Sequence, residues 1–186
     1  MPKDDNFHTK IQSNFDNHFT QIVAKKNHFL KILPPDFVTF ALTLDFMKNS
    51  TNFSKENVTK SIDHIYRRLN ESFVAKRRYA TNPKQMYLMT MIEYSEKVKF
   101  HTHSILACKP ETAPALDSLV FPDSFCKIHE NVSHSFFERT IPDEDSSELK
   151  TYTEPCNLHR FVNYMLKFQD HRPKTPDDLL LHAPRQ

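Results

Sequence analysis

Not one of the 186 residues is glycine, although glycine makes up about 7% of ordinary chains. That absence removes whole classes of function. A phosphate-cradling loop and a dinucleotide fingerprint both need glycine for close backbone approach, so the chain carries neither a helicase motor nor a conventional nucleotide site. Tight turns fall to Asn, Asp and the twelve prolines. Cysteine is scarce too: Cys108, Cys126 and Cys156 are odd in number and form no CxxC pair, which suits a reducing compartment better than a disulfide framework. No apolar run approaches the roughly 18 to 20 residues that a membrane helix needs. The N-terminus MPKDDNFHTK lacks the apolar core of a secretion signal. A cytoplasmic protein with no membrane partner is expected. Charge of one sign is also in short supply, with a net charge of +2 and a pI near 8.4, below the strongly basic range that would by itself announce a nucleic-acid binder.

What is present divides into recognisable segments. An apolar content of 38% in 186 residues fits one globular domain with a real core. In residues 5–30, Phe7, Ile11, Phe15, Phe19, Ile22 and Val23 recur every three or four positions, predicting an amphipathic lead-in helix. Pro34 and Pro35 end it, and residues 37–46, rich in β-branched and aromatic side chains, read as a buried strand. Ser54 can cap a helix running to about residue 76, with Val58, Ile62, Ile65, Tyr66 and Leu69 on its apolar face. Residues 86–94 and 100–108 form two strand-like runs joined by a short charged turn, an expected antiparallel hairpin. Residues 109–124 read as a loop with one helical turn, and 132–141 and 149–153 as further strands. A last helix is expected over about 157–170. The proline-rich, polar stretch 171–186 reads as a partly ordered tail.

His101-Thr102-His103 falls in the second strand of the hairpin. Strand residues two apart share a face, which projects both imidazoles together about 6 to 7 Å apart along the chain. Glu93, on the neighbouring strand, can add a carboxylate from the same face. Two imidazoles and one carboxylate leave positions open on a divalent ion, as a catalytic metal needs. In the last helix, Tyr164 and Lys167 are three apart and share a face, while Phe161, Met165 and Phe168 form the stripe that packs inward. A phenol beside an ammonium can serve as a nucleophile. Basic residues cluster at Arg67, Arg68, Lys76, Arg77 and Arg78, candidate backbone contacts for DNA. A competing reading takes Cys126, His129 and His134 as three ligands of a structural zinc, with no clear fourth.

These pieces, in this order, resemble the HUH endonuclease superfamily, in particular its single-tyrosine rolling-circle replication initiators. Phe40-Ala41-Leu42-Thr43-Leu44 resembles the first family motif, His101-Thr102-His103 the second, and Tyr164 to Lys167 the third; Thr102 departs from the usual hydrophobe between the histidines. The resemblance implies an α+β fold with a central antiparallel sheet of about five strands, RRM-like, the HxH strand central and helices packed on one side. It implies an N-terminal helical extension over 1–35, a nuclease domain over 36–170 and a C-terminal tail over 171–186. It further implies a magnesium or manganese ion held by His101, His103 and Glu93, and Tyr164 attacking single-stranded DNA or an origin hairpin to give a 5′-phosphotyrosine link, with Lys167 assisting. Helicase and polymerase would come from the host, and no nucleotide cofactor is expected. A transposase or relaxase of the same superfamily, and a noncatalytic DNA-binding protein with the same fold, are the alternatives.

Overall fold

The computed structural model describes residues 5–46, 54–75, 84–95, 99–119, 124–140, 158–166 and 174–183. The elements are α1 (Asp5–Ile32), β1 (Val38–Phe46), α2 (Lys55–Phe73), β2 (Tyr87–Ser95), β3 (Lys99–Cys108), a short α3 (Ala113–Asp117), β4 (Val132–Arg139), α4 (Leu158–Met165) and β5 (Leu179–His182). The fold is α+β. Its sheet has the order β4-β1-β3-β2-β5 and every neighbouring pair is antiparallel. The HxH strand, β3, is therefore the middle strand of five, as expected. Among the described residues no helix is long and apolar enough to cross a membrane.

The pleat sorts side chains onto two faces. On one, Phe40, Leu42, Leu44 and Phe46 of β1, Leu88 and Ile92 of β2, and Leu106 and Cys108 of β3 pack against Val58, Ile62, Ile65 and Leu69 of α2. The seven- and four-residue spacings of that α2 stripe match its helical period. Ser54 caps α2 as its sequence suggests, its hydroxyl accepting from the Asn57 N–H at 3.3 Å. Buried Asn70 ties the far end to the sheet by accepting from the Met86 N–H at 2.9 Å and donating to the Tyr66 carbonyl.

The other face differs from the one-sided packing expected from sequence. Met89 and Met91 of β2, Ile105 of β3 and Leu179 of β5 form a second core with Ile22 and Phe29 of α1 and Val162 and Met165 of α4. Helices therefore cover both faces. Full burial of a side chain such as Phe29 contributes roughly 1.5–3 kcal/mol, so α1 is held by its own apolar stripe.

The segment expected as a tail is corrected as well. Leu179–His182 pairs with β2 as an edge strand, Leu180 opposite Thr90 and Leu181 opposite Met89. Before it, the Asp178 carboxylate accepts from the Thr175 N–H and hydroxyl at 2.6 and 2.9 Å and pairs with Lys55 of α2 at 2.6 Å. Lys25 of α1 donates to the Pro176 carbonyl at 2.7 Å. Local turn chemistry thus outweighs the prolines. The strand expected over 149–153 lies outside the described residues.

Candidate active site

The central hairpin builds the site. Its register sets Glu93 of β2 directly across from His101 of β3, and Met91 across from His103. Because odd-numbered positions of both strands share a face, Glu93, His101 and His103 converge there, at the end of the second core. His101 Nε2 lies 3.0 Å from Glu93 Oε2, and His103 Nε2 lies 3.8 Å from the same oxygen. One ligand atom from each residue falls within 4.8 Å of the others. Ligands about 2.0–2.2 Å from a common ion stand roughly 3 to 4 Å from one another, so this donor set could hold a metal ion. Glu93 and His103 are buried and His101 is half-buried.

Two neighbours prepare the donors. Thr43 pairs with His103 across the β1–β3 ladder, and its hydroxyl lies 3.0 Å from His103 Nδ1. When Nδ1–H donates to that hydroxyl, Nε2 carries the free lone pair on the side facing Glu93. This gives the threonine of the first sequence motif a physical role. His101 Nδ1, by contrast, is buried without a hydrogen-bond partner among the described residues. Such an atom is rare in a folded interior, and it leaves the polar valence of the cluster incomplete.

Lys174 is the residue that sequence reasoning missed. Its side chain is only 7% exposed, and its ammonium donates to Glu93 Oε1 and, at 2.6 Å, to the Met165 carbonyl. Burial by itself would raise the Glu93 carboxyl, but the hydrogen bonds from His101 and Lys174 and the Lys174 charge outweigh it and hold the group at about 2. Glu93 is therefore a carboxylate at neutral pH. Burial pushes the His103 imidazole down to about 4 against the pull of Glu93, which keeps it neutral and able to donate a lone pair. A signal for this segment did exist: Thr175 and Asp178, spaced as a capping pair, precede the apolar run Leu179-Leu180-Leu181.

Tyr164 stands over the cluster. α4 packs on β1 and β3 through Val162 and Met165, leaving Tyr164 51% exposed. Its ring meets the His103 ring edge to face, with centroids 5.1 Å apart, and Phe161 flanks the same imidazole at 6.1 Å. A phenol next to a donor set with open coordination positions is an arrangement suited to attack on a metal-bound phosphate.

Other sequence candidates are not brought here. Arg67 and Arg68 lie on α2, on the opposite face of the sheet from the cluster. Both are exposed and paired with Glu71 at 3.8 Å, so they do not border this site. Lys76, Arg77, Arg78 and Lys167 lie outside the described residues. Cys126, His129 and His134 do not assemble: His129 Nδ1 accepts from the Asn131 N–H at 3.1 Å and its ring packs on His64. Among the described residues, Glu93, His101 and His103 are the one group of three whose donor atoms converge.

No protein-family model matches the chain, no curated protein matches its sequence, and no solved structure matches its fold.

Proposed function

We propose that this chain is a metal-dependent nuclease and strand transferase of the HUH type, which nicks single-stranded DNA through Tyr164 and starts rolling-circle replication of a mobile element. The observation that carries the proposal is the exposed Tyr164 phenol, whose ring meets His103 edge to face, His103 being one of three converging donors on the central strands. An exposed phenol, three converging donor atoms and a five-stranded antiparallel sheet occur together, and the threonine strand, the histidine pair and the tyrosine follow one another in the order of the three sequence motifs.

A divalent ion, magnesium or manganese, held by Glu93, His101 and His103 would supply Lewis acidity at a non-bridging oxygen of the scissile phosphate. The protein's own groups do the rest. Tyr164 Oη forms a bond to phosphorus as the bond from phosphorus to the 3′ oxygen breaks. The phenolic proton passes to solvent and the departing 3′ oxygen takes one up. The product is a 5′-phosphotyrosine link and a free 3′-hydroxyl. The link keeps the energy of the phosphodiester, so rejoining needs no nucleotide, in keeping with a chain that has no glycine for a phosphate loop. Thr43 fixes the His103 ring, Lys174 neutralises and orients Glu93, and Lys167 is the cation that would assist the phenol.

A second reading has one observation in its favour. The ammonium of Lys174 already compensates Glu93, an arrangement that a noncatalytic DNA-binding descendant of the same fold would also tolerate. Incubation with labelled single-stranded DNA from the native flanking region and manganese separates the two. A DNA–protein adduct on a denaturing gel, lost in Tyr164→Phe, is the expected result. DNA binding without any adduct would overturn the nuclease and favour the binding protein.

A further inference from the structure

Lys174 makes two contacts, and only one of them is to the donor set. Its buried ammonium donates to Glu93 Oε1 on β2 and, at 2.6 Å, to the carbonyl of Met165. Met165 is the last residue of α4, and the carbonyls in the last turn of a helix have no partner within it. A cation there also suits the negative end of the helix dipole. One ammonium therefore joins a metal-ligand candidate to the helix that bears Tyr164, at the residue next to the phenol.

Compensation of Glu93 does not by itself account for a lysine at this position. A buried ion pair can often be replaced by apolar side chains without loss of stability. An ammonium on a metal ligand also opposes the arrival of a metal ion, since like charges repel most strongly in the interior. The Met165 contact supplies what apolar packing does not. Val162 and Met165 hold α4 against the second core, but apolar burial is non-directional and sets no register along the sheet. Lys26 reaches Asn163 Oδ1 of α4 at 3.3 Å in an exposed position, where water competes for both groups. The backbone from which Lys174 reaches is itself anchored: Asp178 pairs with Lys55 of α2 and accepts from the Thr175 N–H, and Lys25 of α1 donates to the Pro176 carbonyl.

We propose that Lys174 is a positioning residue, which sets the place of Tyr164 over the Glu93, His101 and His103 cluster by tying the end of α4 to Glu93. Metal binding is left to Glu93 Oε2, the oxygen that faces both histidines. The consequence for attack on phosphorus rests on the nicking function proposed above. Loss of a residue that merely stabilises the fold would weaken metal binding together with the reaction. Loss of a positioning cation leaves manganese bound at least as tightly, because the repulsion is gone, and displaces the phenol.

The test uses the full chain labelled with fluorotyrosine and loaded with manganese, without DNA. Electron–nuclear double resonance in frozen solution reads the distance from manganese to fluorine, and Tyr164→Phe identifies the Tyr164 signal among the six tyrosines. The wild type should give one narrow coupling from Tyr164, whose ring lies 5.1 Å from that of His103. In Lys174→Met, checked for a cooperative melt in manganese, that coupling should shift or spread by about 1 Å, while calorimetric titration shows manganese affinity equal to wild type or higher. Its single-turnover rate of adduct formation on labelled single-stranded DNA should fall by about 100-fold, the cost of misplacing a reacting group by about 1 Å. Lys174→Arg, whose forked donors can serve both acceptors, should recover most of the coupling and of the rate.

A Tyr164 coupling in Lys174→Met identical to wild type would overturn the inference. So would a manganese affinity that falls in step with the rate, the mark of a structural role alone. Where Lys174→Met does not melt cooperatively, Lys174→Gln takes its place, with a polar amide but neither the charge nor the reach; failure of both to fold in manganese would make Lys174 a folding residue and overturn its positioning role. A coupling lost in Lys174→Met as expected, together with no adduct from the wild type, would leave the tie between α4 and Glu93 standing and remove the nicking function.

Discussion

Thr43 illustrates how a single hydroxyl can decide what an imidazole does. Its contact with His103 Nδ1 at 3.0 Å fixes both the ring and the nitrogen that faces Glu93. Partners of this kind typically alter metal affinity 10- to 100-fold. Thr43→Val preserves the shape of the strand but removes the acceptor, and manganese affinity by calorimetric titration should fall by about ten-fold or more while the melting temperature barely moves. Equal affinity would reduce Thr43 to a space-filling role. At this scale the donor set was readable in the sequence, because the period of two and the short hairpin place Glu93, His101 and His103 on one face. Lys174 was not readable as a partner of Glu93, which lies 81 positions away. No local pattern encodes a contact between a buried ammonium and a distant strand.

The segment leading into β5 shows why short elements escape pattern reading. Three leucines and a histidine, surrounded by proline and charge, resemble a tail until Asp178 is seen bridging Thr175 and Lys55. Long elements such as α2 and the β2–β3 hairpin were legible because cap, period and turn all agree. The covering of both faces was obscured by β1, whose Thr43 and Asp45 suggest a wet face, while the apolar partners Met89, Met91 and Ile105 sit on neighbouring strands. The β5 lead-in also delivers Lys174 to a carboxylate in the interior. Removing one partner of a buried ion pair destabilises by about 3–5 kcal/mol, because the other charge stays buried. Lys174→Met should therefore lower the melting temperature sharply in EDTA, and manganese should restore more of it than it adds to the wild type. A variant as stable as wild type in EDTA would show that Glu93 does not depend on this lysine.

At the scale of the whole molecule, the helix that precedes β1 and the strand that follows α4 close on each other. Lys25 donates to carbonyls at Pro176 and Leu179, some 150 positions away, and Ile22 and Phe29 share a core with Leu179. The lead-in helix was foreseen, but its place as one side of a two-sided core follows only from that closure. Deleting residues 1–35 uncovers Met89, Met91 and Ile105 together, a change several times larger than the roughly 3–5 kcal/mol of one Phe→Ala in a core. The shortened chain should lose its cooperative melt by circular dichroism. A sharp transition at the wild-type temperature would instead make α1 an accessory to an independently stable sheet. Contacts so distant in sequence form late in folding, since the loop they close must first be ordered. During translation, then, β2 lacks its edge partner, Lys25 its carbonyls and Glu93 its ammonium until residues 174–182 have left the ribosome. A growing polypeptide cannot present a finished cluster, and the moment of its completion is set by synthesis of the segment that carries Lys174 and β5.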